Sequence, residues 1–312
     1  MPQDGRFEVR FEDKRIDFRV SGLPAAFGQK FVLRILDKGN LSVGLDRLGF
    51  SEQPLKIFKE AIIKPFGMIL VTGPTGSGKS TTLYSVLNQM NTPERNIVTV
   101  EDPVEYQIEG ITQIQVKPEI GLDFASGLRS ILRQSPDIIM IGEIRDGETA
   151  DIAIKASLTG QVVLSTLHTN DAISTFTRLI DMGIEPFLVA SSLIMMCAQR
   201  LCRKVCLKCR KPAALPKEYL DHLGFTENIT FYEASGCKYC NNTGFYGRIA
   251  ILENVLVNDA IREMILKKES TDEIKHYAIE KLGMKTLKDD AFLKVKEGVT
   301  TLNEALRVTT EE

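Results

Sequence analysis

The 312-residue chain contains no tryptophan and only 7% aromatic residues, so it has few of the flat rings on which single-stranded nucleic acids stack their bases. Net charge is missing as well. Its 39 basic and 41 acidic residues leave −2 at pH 7, too little for a field that gathers polyanions or anionic lipid. Long hydrophobic runs are absent. The longest stretch, residues 187–198, includes Ser191 and Ser192 and falls short of the roughly 20 apolar residues that a membrane-spanning helix needs. The first residues show no basic segment followed by an apolar one, so no secretory signal is expected. Cysteine is scarce. Six in a chain of this length are too few for a disulfide scaffold, and their spacing points to metal. The remainder, 43% hydrophobic and 26% charged, is ordinary for a globular protein and excludes disorder or a collagen-like repeat. Length alone sets an expectation of about two domains.

Residues 1–38 read as strands. Phe7, Val9 and Phe11 alternate with Glu8 and Arg10, and Ile16, Phe18 and Val20 alternate with Asp17 and Arg19, the period-2 pattern of half-buried strands. Glu12-Asp13-Lys14 reads as a hairpin turn, residues 31–36 as a third strand, and Lys38-Gly39-Asn40 as a break opening a linker over 39–54. Three short strands cannot bury a core alone, so this piece must pack on something else. Over 55–201 the pattern changes. Short apolar runs without alternation, at 68–72, 97–101, 138–142 and 162–166, are separated by helical periodicity such as Leu83, Val86, Leu87 and Met90. Strands of that kind belong to a parallel sheet covered on both faces, an α/β nucleotide-binding layout. Residues 202–248 are rich in Cys, Lys, Gly and Asn and have little periodicity. Residues 249–312 read as helices, with capping boxes at Ser270/Glu273 and Thr301/Glu304 and stops at Gly283 and Gly298. Cys197 is expected in a helix core.

Gly73-Pro74-Thr75-Gly76-Ser77-Gly78-Lys79-Ser80 fits G-x-x-x-x-G-K-[ST] between an apolar strand and a helix, the context a phosphate-binding loop requires. Its glycines let backbone N–H groups converge on phosphate oxygens, and the helix that runs on through Thr81 presents its positive end to them. Lys79 would reach the β- and γ-phosphates, and the Ser80 hydroxyl would bind Mg²⁺. Glu143 ends the apolar run 138–142, where an acid organises Mg²⁺ and its waters. Another strand ends in Glu101-Asp102-Pro103-Val104-Glu105, and one of its three carboxylates could orient or deprotonate the attacking water. His168 follows a third core strand among polar neighbours, a position from which it could read the γ-phosphate.

Four motifs in order, the phosphate loop, Glu101-Asp102-Pro103-Val104-Glu105-Tyr106, Gly142-Glu143-Ile144-Arg145-Asp146 and Thr166-Leu167-His168-Thr169-Asn170, resemble the secretion ATPase E superfamily. Its members are cytoplasmic motors of type II secretion and type IV pilus assembly. The resemblance runs from Asp4-Gly5-Arg6 to about Thr309. It implies an α/β chain with a RecA-like P-loop core, preceded by part of a PAS-like domain, and a homohexamer at the inner face of the cytoplasmic membrane. Mg²⁺-ATP hydrolysis would drive pseudopilus or pilus assembly through an inner-membrane platform protein. The family's catalytic glutamate maps onto Glu105 and its glutamate after the apolar strand onto Glu143. Its nucleotide-directed arginines map onto Arg19 and Arg34 in the N-terminal sheet and onto Arg129 and Arg133 after the acidic box. Arginine suits that task because it neutralises triphosphate with fixed, bidentate donors. Three positions depart from the family. Gln161 replaces a usual histidine expected near the nucleotide, Ser135 replaces a common Asp, and Cys202 replaces an aliphatic residue. Residues Glu105-Tyr106-Gln107 and 182–187 favour a secretion motor over a pilus motor, and the chain is expected to begin partway through the family's second N-terminal domain.

Cys206-x-x-Cys209 and Cys237-x-x-Cys240 are two metal knuckles joined by residues 210–236. Four thiolates suit tetrahedral, structural Zn²⁺, and Arg203, Lys204, Lys208, Arg210 and Lys211 would offset the resulting charge. Disulfides or free thiols are the alternatives. Two other functions compete with the motor: a RecA-like nucleic-acid motor, which the lack of an aromatic-rich basic stretch disfavours, and a non-hydrolysing switch, which the presence of Glu105 and Glu143 disfavours.

Overall fold

In the computed structural model, residues 1–11, 14–37, 44–225 and 229–310 are described. Glu12 and Asp13 of the expected hairpin turn, and the expected break at 38–40, lie outside them. Three N-terminal strands, β1 (Gln3–Phe11), β2 (Lys14–Ala25) and β3 (Gly28–Asp37), form an antiparallel sheet in the order β1-β2-β3. Phe7 stands opposite Phe18, their rings stacked at 4.9 Å, while Arg6, Arg19 and Arg34 fall in one cross-strand row. The alternation of charged and apolar residues thus sorts into two faces, as the pleat demands.

Seven strands make the central sheet: β4 (Gly67–Thr72), β5 (Ile97–Glu101), β6 (Thr112–Gln115), β7 (Ile138–Ile141), β8 (Val162–Leu167), β9 (Leu193–Val205) and, beyond a two-stranded piece, β12 (Phe245–Leu256). Their order is β12-β9-β4-β8-β7-β5-β6, parallel except for the β12–β9 pair. Residues on alternate faces of each strand feed two cores. Helices α1 (Glu52–Ile62) and α2 (Lys79–Met90) bring Phe58, Leu83, Val86 and Leu87 against Ile69, Val71, Ile138 and Leu164. On the opposite face α3 (Phe124–Ile131) and α4 (Gly147–Leu158) bring Leu128, Ile131, Ala150 and Ile154 against Leu70, Val98, Val100, Ile139 and Val163. Burial on both faces is the reason these strands read as continuous apolar runs.

The run 187–198 divides. Helix α6 (Pro186–Ser192), which follows α5 (Ser174–Asp181), ends where β9 begins, so Cys197 is buried in a strand rather than in a helix. An apolar run of this length is ambiguous between buried helix and buried strand, and pairing with β4 and β12 decides it. The cysteine-bearing excursion between β9 and β12 carries β10 (Lys211–Ala213), α7 (Lys217–His222) and β11 (Phe231–Glu233). Residues 249–256, expected at the start of the helical region, instead complete β12, because pairing with β9 makes them an edge strand of the central sheet. Four helices then close the described chain: α8 (Asp259–Leu266), α9 (Thr271–Leu282), α10 (Leu287–Lys296) and α11 (Leu302–Thr309). Ser270 and Glu273 form the expected capping box, and Gly283, at φ 65°, ends α9. Thr301 caps α11, but the Glu304 carboxylate binds Arg203 and Arg307 instead of closing a box. No described helix is long and apolar enough to cross a membrane.

Candidate active site and metal centre

The chemistry-bearing residues gather at the carboxyl ends of β4, β5, β7 and β8, where an open parallel sheet offers a crevice. The loop from Gly73 to Gly78 connects β4 to α2 and can do so only with glycine at its turns. At Gly73, φ is 142° and a Cβ would lie 2.4 Å from the Gln199 carbonyl; at Gly78, φ is 90° and a Cβ would meet the Gln199 amide at 2.7 Å. Pro74, Thr75 and Gly76 are exposed at the loop tip, Ser80 at the start of α2 is exposed, and Thr81 is half-buried. Among the described residues the buried Ser77 hydroxyl has no hydrogen-bond partner. A cradle no Cβ can enter, lined by an orphaned hydroxyl and a helix N-terminus, fits a phosphate group. Lys79 Nζ currently donates to the carbonyls of Gly73 at 2.7 Å and Pro74 at 3.2 Å. Burial lowers its pKa, with Glu143 opposing and Arg200 adding to the effect.

Glu143 follows β7 and is bound on both oxygens, by Arg145 on one and by His168 Nε2 at 3.1 Å on the other. Arg145 also reaches Asp102 at 3.5 Å, joining the acidic box to Glu143. His168 therefore orients Glu143 in this structure. Glu105 takes a different partner: Arg19, from β2, meets it at 2.6 Å across the boundary between the two sheets. Glu101 is buried and accepts from Thr99, Gln113 and Tyr84; burial raises its pKa and those hydrogen bonds oppose the rise. Of the three acids in the box, Glu101 is thus committed to the interior, Asp102 is exposed, and Glu105 is half-buried against Arg19.

The other expected arginines do not join this cluster. Arg34 stands beside Arg19 in register but is exposed, with no partner among the described residues. Arg129 pairs with Glu148 in the first turn of α4, and Arg133 folds back onto the Arg129 carbonyl at 3.0 Å and the Ser130 hydroxyl at 3.2 Å. Gln161 contradicts the expectation of a place near the nucleotide. It precedes β8, and its carbonyl accepts from Gly67 at the start of β4, the end of the sheet opposite the phosphate loop. Sequence reasoning missed Gln199 and Arg200 on β9. The Gln199 amide donates to the Ser77 carbonyl and accepts from Thr82, each at 2.8 Å, and Arg200 ties the Gln199 carbonyl to that of Asn170. No spacing signal marks them, because they sit between an apolar run and the cysteines.

These motifs sit on the elements that the order of strands and helices assigns them, and the sequence profile described as Type II/IV secretion system protein matches residues 1–307. The chain belongs to this family. Among its curated relatives, the type IV pilus assembly ATPase PilB of Myxococcus xanthus is 52% identical over 98% of this chain and 55% of its own length. The type II secretion system protein E of Dickeya dadantii is 50% identical over 100% of this chain and 62% of its own. The chain thus spans a little over half the length of these secretion relatives. A crystal structure of the pilus retraction motor PilT with bound ADP superposes with a TM-score of 0.70 at 28% identity, over 98% of this chain and 77% of that one. The ATPase DotB of Yersinia pseudotuberculosis shares the fold, at a TM-score of 0.74 and 22% identity over 100% of this chain and 76% of that one.

The second candidate site of this secretion-family chain is the cysteine cluster. Cys206 and Cys209 lie in the turn after β9, and Cys237 and Cys240 flank a single turn before β12. The Sγ–Sγ separations are 3.9 Å for Cys206–Cys237, 3.8 Å for Cys209–Cys240 and 3.7 Å for Cys237–Cys240. Four thiolates at about 2.3 Å from a tetrahedral centre stand about 3.8 Å apart. The thiols are free, so the disulfide alternative falls. Backbone N–H groups of Cys237 and Gly244 point at Cys240 Sγ, each at 3.2 Å, which favours thiolate. The donor set fits a closed tetrahedral metal site.

Proposed function

We propose that the chain is the catalytic part of a Mg²⁺-ATP-hydrolysing hexameric motor that powers pseudopilus assembly in type II protein secretion. The observation that carries this reading is the meeting of the phosphate cradle with two separately held carboxylates, Glu143 and Glu105, at the ends of adjacent parallel strands. The loop amides and the Ser77 hydroxyl would bind phosphate oxygens, and Lys79 would turn from the Gly73 carbonyl to the β- and γ-phosphates. Ser80 and Glu143 would hold Mg²⁺, which offsets phosphate charge when bound, while His168 keeps Glu143 aimed. Glu105 would accept the proton of the attacking water. Arg19 occupies one carboxylate oxygen of Glu105, so it must move aside before that oxygen can face the water, and it is then available for triphosphate. Arg34, Arg129 and Arg133 would act on the nucleotide of a neighbouring subunit. Residues 55–201 serve as the motor core, and 202–248 as an insertion stapled by structural Zn²⁺ on Cys206, Cys209, Cys237 and Cys240.

The partners that follow from this reading are five further copies of the chain and an inner-membrane platform protein, which holds the motor at the cytoplasmic face of the membrane. Type IV pilus assembly is the second reading, which the 52% identity to PilB supports as much as the 50% identity to protein E supports the first. Turnover assays test the enzyme: Lys79→Ala and Glu143→Ala should abolish hydrolysis, and Glu105→Gln should bind ATP but turn over poorly. Wild-type kcat in Glu105→Gln would reject the base assignment. Light scattering with and without a non-hydrolysable ATP analogue tests the ring.

A further inference from the structure

Tyr84 lies on α2, four residues after Ser80, with 1% of its surface exposed. Its hydroxyl makes two contacts of opposite sense. It accepts from the backbone N–H of Glu105 at 3.2 Å and donates to the carboxylate of Glu101. Glu101, 4% exposed, takes further donors from Thr99 at 2.5 Å and from Gln113 at 3.1 Å. Gln113 in turn accepts from the Ile108 N–H at 2.8 Å and donates to the Tyr106 carbonyl at 3.1 Å. The Tyr106 ring packs edge-on against Tyr84, with centroids 4.5 Å apart. The acidic loop is therefore pinned from inside at Glu105, Tyr106 and Ile108, and every pin leads to Glu101. Burying a carboxylate without a charged partner is costly, and apolar packing would hold a loop of this kind equally well. A fully satisfied polar network does something packing does not: it selects one backbone conformation.

We propose that Tyr84 and Glu101 are positioning residues that hold the Glu105 backbone in register with the phosphate loop, so that the helix carrying Ser80 also sets the place of the base. The proposal rests on the reading of Glu105 as the residue that receives the water proton. The Tyr84 hydroxyl bonds the peptide N–H of Glu105 itself, so its loss frees the Cα that carries the carboxylate. Displacements of about 1 Å at reacting groups cost up to about 100-fold in rate.

The test compares Tyr84→Phe, Glu101→Gln, Glu105→Gln and the Tyr84→Phe/Glu105→Gln pair in the full chain. The readouts are kcat and KM for Mg²⁺-ATP, single-turnover rates, affinity for a fluorescent ATP analogue, and Tm. Tyr84→Phe keeps the ring on Tyr106 and should lower kcat by about 10- to 100-fold while KM and nucleotide affinity stay within about twofold. Glu101→Gln should lower kcat in the same way. In the Glu105→Gln background Tyr84→Phe should cost nothing further, because it acts through that residue. Wild-type kcat in Tyr84→Phe, or an equal fold-loss in the Glu105→Gln background, overturns the proposal and leaves the base assignment standing. Full turnover in Glu105→Gln overturns both.

Discussion

Replacing Glu304 by glutamine tests whether charge holds the last helix, α11, to the sheet. The carboxylate is 2% exposed and accepts from the Arg203 backbone N–H at 3.0 Å, the Arg203 guanidinium at 2.7 Å, and Arg307 at 3.0 and 2.9 Å. Burial alone would raise its pKa, but the bonds from Arg307 and Arg203 outweigh burial and bring it from the ordinary 4.5 to about 2. A difference of that size corresponds to about 3 kcal/mol. Both arginine side chains are 48% exposed, so solvent screening reduces the expected contribution to about 1–2 kcal/mol. A depressed carboxylate contributes its stability above its unfolded-state pKa and loses it as pH falls toward the folded one. Glu304→Gln, similar in shape but unable to ionise, should therefore unfold about 1–2 kcal/mol more easily near pH 7. The gap to wild type should narrow as pH drops below about 4.5. Urea denaturation followed by circular dichroism at about pH 7, 5 and 3.5 reads it directly. A gap that is constant across the series, or absent near neutrality, refutes the electrostatic account.

Three further outcomes are expected. Purified protein should carry one zinc per chain by metal analysis, and Cys206→Ser should lose the metal and lower Tm; metal-free native protein would remove the zinc assignment. Gln199→Leu strands the Thr82 hydroxyl and the Ser77 carbonyl, which should cost about 1–3 kcal/mol and weaken nucleotide binding in a titration; unaltered affinity would mean that the loop needs no support from β9. Arg34→Ala should lose turnover while the isolated subunit keeps its nucleotide affinity, and an equal loss of both would indicate a folding defect instead.

Local features were readable because their geometry is local. Residues 73–80 dictate a phosphate cradle by their glycines alone, the two C-x-x-C pairs dictate a tetrahedral thiol cluster, and the core strands betray themselves by apolar runs. Ser270 and Glu273 announce a helix start because both halves of the box lie within one turn. Thr301 and Glu304 look the same in sequence, yet Glu304 is claimed by arginines, one of them on β9. Strand β9 was hidden for a similar reason: residues 193–198 are equally apolar as helix or strand, and only neighbours on both sides settle the matter.

The amino-acid sequence by itself determined the order of motifs, the phosphate loop, the acids that end β5 and β7, and the cysteine knuckles. Each of these depends on spacings of a few residues, which the backbone enforces without outside help. Only the tertiary structure decided who holds whom. It put Arg19 on Glu105, His168 on Glu143, and Gln199 beneath the phosphate loop, and it moved Gln161 to the far end of the sheet. Those contacts join segments 25 to 122 residues apart, and strand order and register alone bring such segments within hydrogen-bond reach.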